Sequence, residues 1–126
     1  MTKLIKIIYF IFLYFHFLLF QAVHAQEKIK IGLLVPMSGE NKEIGESIIK
    51  AVGLAVKDID NNLIEIFPKD TATKANQTLK SAFELSEMGI KIVIGPVFYE
   101  SLTYLDEMKN LTFLSLTNKI LDLPKM

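Results

Sequence analysis
The sequence predicts an α/β fold, a doubly wound parallel sheet, on three observations. Apolar runs rich in Ile, Leu and Val recur at residues 29–35, 63–67, 90–95 and 111–117. The segments between them carry apolar residues at helical spacing, and the connections are only a few residues long. Such βαβαβαβ alternation is the pattern of parallel strands joined by right-handed crossovers.

Each element has its own reason. The run "IKIGLLV" at 29–35 begins in alternation and becomes continuously apolar, as a central parallel strand buried on both faces must. Ile44, Ile48, Val52, Ala55 and Ile59 then fall on one helical face, with Glu46 and Lys50 as an i,i+4 pair on the other side. "LIEIF" at 63–67 is a short strand closed by Pro68, after which Asp70 or Thr71 is placed to cap a second helix. Ala75, Leu79, Ala82, Phe83 and Met88 carry that helix to a stop at Gly89. "IKIVIG" at 90–95 is the clearest buried strand. Phe98, Leu102, Leu105 and Met108 form a third helical stripe ending near Asn110, and "LTFLSLT" at 111–117 reads as a fourth strand.

A different kind of segment precedes this pattern. Lys3 and Lys6 lead into the 14-residue apolar run "IIYFIFLYFHFLLF", followed by "QAVHAQ" with small residues at Val23 and Ala25. A positive start, a short apolar stretch and a small-x-small site make a secretory signal peptide, and a membrane span would need about 20 residues. Residues 1–25 are therefore expected to be removed after Ala25, leaving 26–126 in the periplasm. That removal takes away both histidines, His16 and His24. What remains has no His, Cys, Trp or Arg, so Ser-His-Asp and Cys-His nucleophile systems, the usual zinc sites and a disulfide framework all fall away. No enzyme activity, cofactor or metal is implied. Twelve lysines against 14 acidic side chains, evenly spread, supply no basic stripe for nucleic acid.

Sheets of this class bind ligands outside the carboxyl ends of their strands. Three such ends are recognisable, at Pro36-Met37-Ser38-Gly39, at Gly95-Pro96 and at Thr117-Asn118. The spacing of Gly32, Gly39 and Gly45 does not make a dinucleotide fingerprint, and Gly39 is followed by Glu40 rather than the Lys-Ser/Thr of a phosphate loop. A phosphoacceptor site would want acidic residues where the chain has Pro36 and Gly95.

The segments "IKIGLLVPMSGENKEIGESIIKAVGLAVKDID", "KDTATKANQTLKSAFELSEMGIKIVIGPVF" and "FLSLTNK" together resemble the amino-terminal lobe of the type 1 periplasmic binding proteins. The shared features are a strand ending in Pro-x-Ser-Gly, a Gly spaced as Gly45 is, an Asp-Thr after the second strand, and a third strand ending in Ile-Gly-Pro. The resemblance spans residues 28 to 120 and implies a secreted, non-enzymatic receptor of two α/β lobes that closes on a small-molecule ligand. Leucine-binding-type members serve ABC transporters and hand an amino-acid-like ligand to a membrane permease. A related branch activates penicillin-binding proteins, with a cell-wall synthase as partner, and "IGPVF" resembles that branch at least as closely. The loops that would hold a ligand carboxylate bring Ser38, Tyr99, Ser101, Thr117 and Asn118 forward as the candidate binding residues.

The same residues have structural readings beside the functional one. Ser38 and Gly39 suit a turn and helix cap, Ser101 and Thr117 suit solvated loop hydroxyls, and Tyr99 suits either a pocket wall or a place under the neighbouring loop. Amides at the start of the third helix would attract an anion, whereas Glu100, standing where small serines are expected, would repel one. Asn76 and Asn110 fall in glycosylation sequons, read as chance. After the fourth strand only "KILDLPKM" remains, so the chain is expected to be a partial lobe, residues 26–126, without a second one.

Overall fold
The computed structural model describes residues 1–20 and 27–117. It contains α1 (Thr2–Phe20), β1 (Ile29–Val35), α2 (Lys42–Ile59), β2 (Ile64–Asp70), α3 (Ala75–Glu87), β3 (Ile92–Ile94), α4 (Tyr99–Leu102) and β4 (Thr112–Leu114). The expected cleavage point after Ala25 and the candidate residue Asn118 lie outside the described residues. Among the described residues no helix is long and apolar enough to cross a membrane.

The four strands form one all-parallel sheet in the order β2-β1-β3-β4. The α/β class and the all-parallel sheet are those the sequence predicts. Central β1 pairs with β2 over seven positions, Ile29↔Ile64 through Val35↔Asp70, and with β3 over three. Alternation along β1 sorts the core between the two faces. Leu34 joins Val93, Ala82, Leu85, Leu105, Met108 and Leu111 in one cluster under α3 and α4, extended by Phe67, Leu79 and Phe113. Leu33 and Ile66 face the other way, toward Ile49 and Val52 of α2, across a cavity of about 210 Å³ that Gly53 and Pro68 also line.

Local departures from expectation have physical causes. β2 runs on through Pro68 to Asp70, which an edge strand tolerates because a missing N–H costs nothing on the unpaired side. Asp70 and Thr71 therefore do not cap α3, whose first residue follows an extended Lys74 with no side-chain cap. The buried face of α2 is Gly45 with the half-buried Ile48, Ile49, Val52 and Val56, while Ile44 and Ile59 at the ends of the expected stripe are exposed. Glu46 pairs with Lys42 at 3.6 Å, one turn toward the amino terminus, rather than with Lys50. On α3, Phe83 is 55% exposed and Met88 is exposed too; the buried face is Thr78, Ser81, Ala82 and Leu85.

The third helical stripe is core but is hardly helix. Beyond the single turn Tyr99–Leu102 the chain descends in successive i→i+3 turns, Leu105 N to Leu102 O at 3.0 Å, Met108 N to Leu105 O at 2.9 Å and Leu111 N to Met108 O at 3.1 Å. A period of three presents Leu105, Met108 and Leu111 to the core as well as 3.6 would, so the apolar spacing is satisfied without an α-helix.

Candidate functional site
The carboxyl ends of the strands bring four loops to one edge: Pro36–Gly39, Asp70–Thr73, Gly95–Tyr99 and Ser115–Thr117. Two glycines allow the close approaches there. Gly45, on the first turns of α2, lies against the carbonyl of Pro36, and a Cβ at this position would stand 1.8 Å from that oxygen. Gly95 has φ +106°, and a Cβ on it would come within 2.4 Å of the Leu34 carbonyl. The Gly95–Pro96 peptide is cis. The third and fourth loops are then stitched together by Gly95 N to Leu114 O at 2.9 Å and Leu116 N to Pro96 O at 3.0 Å.

The first two loops are joined by one carboxylate. Asp70 Oδ1 accepts from the amides of Met37 at 2.7 Å, Ser38 at 3.2 Å and Ala72 at 2.8 Å, and Ser38 Oγ donates to Asp70 Oδ2 at 2.6 Å. Partial burial pushes the Asp70 carboxyl up, but the Ser38 hydroxyl and the amides of Ala72, Met37 and Ser38 outweigh it and hold the group below its ordinary 3.8. The backbone of the second loop is tied on either side, with Thr71 N to Val35 O at 3.0 Å and Ser81 Oγ of α3 to the Asp70 carbonyl at 2.7 Å. Ala72 and Thr73 take the left-handed conformation at φ 47° and 59°, a strained choice for residues with side chains, and Asn41 Nδ2 reaches Thr73 Oγ1 at 3.3 Å. One residue below Asp70, Lys69 pairs with Glu84 of α3 at 2.7 Å, which holds the Glu84 carboxyl below its ordinary 4.5.

The expected binding residues separate in this geometry. Ser38 is exposed on the first loop, with its hydroxyl given to Asp70. Ser101 turns inward: it is 3% exposed, and its Oγ lies 3.1 Å from Thr78 Oγ1, which also donates to the Lys74 carbonyl at 2.9 Å. Tyr99 is half-buried at the start of α4, and Thr117 is half-buried on the fourth loop with its amide donating to Ser115 Oγ at 3.2 Å. Met37, Glu100 and Leu116 are exposed on the same edge. The anion-attracting helix start expected near Tyr99 loses its basis, because α4 has four residues and aligns too few peptide dipoles. Among the described residues no three His, Cys, Asp or Glu side chains gather to hold a metal ion.

Sequence reasoning missed Asp70 as a member of this edge. The available signal was its position, at the end of the strand that pairs beside the Pro-x-Ser-Gly strand, where any side chain meets the neighbouring loop.

A family model described as periplasmic binding protein matches residues 28–119. Solved structures of similar fold include the leucine-binding protein LivK from Thermotoga maritima, 15% identical with a TM-score of 0.66 over 72% of this chain and 28% of its own. A solute-binding protein of an ABC transporter from R. palustris, in complex with 4-hydroxybenzoate, is 18% identical with a TM-score of 0.67 over 72% and 27%. The C-domain of LpoA from Haemophilus influenzae, a regulator of PBP1A, is 24% identical with a TM-score of 0.56 over 68% and 27%. The chain thus spans about a quarter of the length of these structures. No curated protein is a significant match to it.

Proposed function
We propose, given that this chain belongs to the periplasmic binding protein family, that it supplies the ligand-holding edge of an exported small-molecule receptor serving an ABC-type uptake system. The observation that carries the proposal is the convergence of Met37–Gly39, Tyr99 and Leu116–Thr117 on one sheet edge within the family-matched region. The ligand is a small carboxylate, amino-acid-like or aromatic, held by Thr117, Asn118 and Tyr99 and bordered by the Ser38 loop, whose Met37 and Ser38 amides are given to Asp70. Ser38 and Ser101 contribute by shaping the edge, since Asp70 and Thr78 already occupy their hydroxyls. Residues 1–25 direct export and are removed after Ala25, and the partner is a membrane permease.

Chemical-shift mapping of the full chain with millimolar leucine and 4-hydroxybenzoate tests this, since it detects the weak affinity of one lobe. Shifts confined to Met37–Gly39, Tyr99 and Thr117 are the expected result. Silence across both probes, or shifts scattered over α2 and α3, would sink the receptor reading.

A second reading, an activator of a penicillin-binding protein, is favoured by one observation. The hydroxyls of the candidate residues Ser38 and Ser101 have internal partners, and the exposed Glu100 precedes Ser101 in the chain. On that reading, capture from membranes recovers a cell-wall synthase, and the probes above leave every resonance in place.

A further inference from the structure
We propose that Asp70 is the positioning residue of this edge: it fixes the Met37-Ser38-Gly39 loop in one conformation and so sets the surface that a ligand meets. The inference rests on the receptor reading for its purpose, and on the geometry alone for its mechanism. One carboxylate gathers four donors from two loops: Met37 N, Ser38 N and Ser38 Oγ from the first, and Ala72 N from the second. Its own backbone does not move with them, because it ends the seven-position β1–β2 ladder and its carbonyl accepts from Ser81 of α3. The carboxylate is thus a fixed anchor, and the first loop is what it restrains.

The arrangement also reaches the third loop through the same helix. Three residues before Ser81, Thr78 holds Ser101 of α4 at 3.1 Å between buried hydroxyls. Helix α3 therefore braces the second loop through Ser81 and α4, which continues the third loop, through Thr78, on adjacent positions of one face. Asp70 is the step that passes this bracing on to the first loop. An acceptor-only group with two oxygens is needed there, because all four partners donate.

Amide exchange of the full chain, read residue by residue, decides the matter. In Asp70→Ala the amides of Met37, Ser38 and Ala72 are expected to exchange about tenfold faster or more, while those of Leu85 and Val93 keep their wild-type rates. Asp70→Asn retains the Oδ1 acceptor and is expected to fall between the two. If Asp70→Ala does not fold, the same comparison is made on Asp70→Asn. Unchanged rates at the three loop amides would overturn the proposal, as would equal acceleration at Leu85 and Val93, which would make Asp70 a general stability residue. Ligand probes separate the two ideas: silence with the expected exchange pattern rejects the receptor and leaves the positioning role. Ligand shifts with unchanged loop exchange do the reverse.

Discussion
Gly45 and Pro36 approach each other more closely than any side chain on Gly45 would permit, with the Pro36 carbonyl 1.8 Å from where a Cβ would be. The contact sets the height at which α2 enters over the end of β1. Gly45→Ala is expected to destabilise the fold by about 2 kcal/mol or more, in the upper part of the usual range for overpacking, because backbone rather than a flexible side chain has to give way. Denaturant unfolding measures it, and an unchanged midpoint would contradict the geometry.

Acid should loosen the edge before it loosens the core. A carboxyl held below its unfolded value contributes stability that is present above that value and lost as pH falls through the folded one, so the Asp70 contribution fades below about pH 3.8. Glu84, lowered from 4.5 by Lys69, acts in the same direction at the surface. Asp70→Asn lacks the first titration, so its stability should fall less steeply than that of the wild type between pH 5 and pH 2. Parallel curves for the two proteins would argue against the Asp70 bonds.

Ser101 and Thr117 should behave in opposite ways on substitution. Ser101→Ala breaks a buried hydroxyl pair and is expected to lower stability by about 1 kcal/mol, with Thr78 Oγ1 still donating to the Lys74 carbonyl. Thr117→Ala should leave stability within about 0.5 kcal/mol and weaken binding of a carboxylate ligand by about 1 to 2 kcal/mol. Thermal melts beside titrations with leucine and 4-hydroxybenzoate read both effects. A stability loss at Thr117 equal to that at Ser101 would remove the distinction.

Two apolar residues of α3 offer a control on the core. Leu85 is fully buried and Phe83 mostly exposed. Leu85→Ala is expected to cost about 2 to 5 kcal/mol, and Phe83→Ala less than about 1 kcal/mol. Reversal of that order in urea titrations would mean that α3 is rotated from the orientation described.

The strands were legible because four apolar runs separated by short connections leave few topologies open, and Leu33, Leu34, Val35 and Val93 are buried accordingly. The stripe from Phe98 to Met108 was legible as core but not as an element, since over three repeats a period of 3.0 is hard to tell from 3.6. Phe83 and Ile59 were misplaced for a related reason: periodicity finds a helix's apolar side, but the packing of Gly45 on Pro36 and the bonds of Thr78 and Ser81 decide which side turns inward. At the edge, sequence displays hydroxyls and not their partners. Ser38, Ser101 and Asp70 are tied up by contacts spanning more than 20 residues of chain, and no local pattern reports those.

The uneven ladder has a consequence for how the chain reaches its structure. β1 and β2 share seven paired positions across a single helix, whereas β3 and β4 add three each. The βαβ unit from Ile29 to Asp70 thus holds the longest run of pairing in the sheet, and the carboxylate that ties its second strand to the loop after its first arrives with its last residue. This unit also precedes β3 and β4 in the chain. It makes a nucleus onto which the later strands dock, and in pulse-labelled refolding the amides of Ile31 to Val35 should be shielded before that of Phe113.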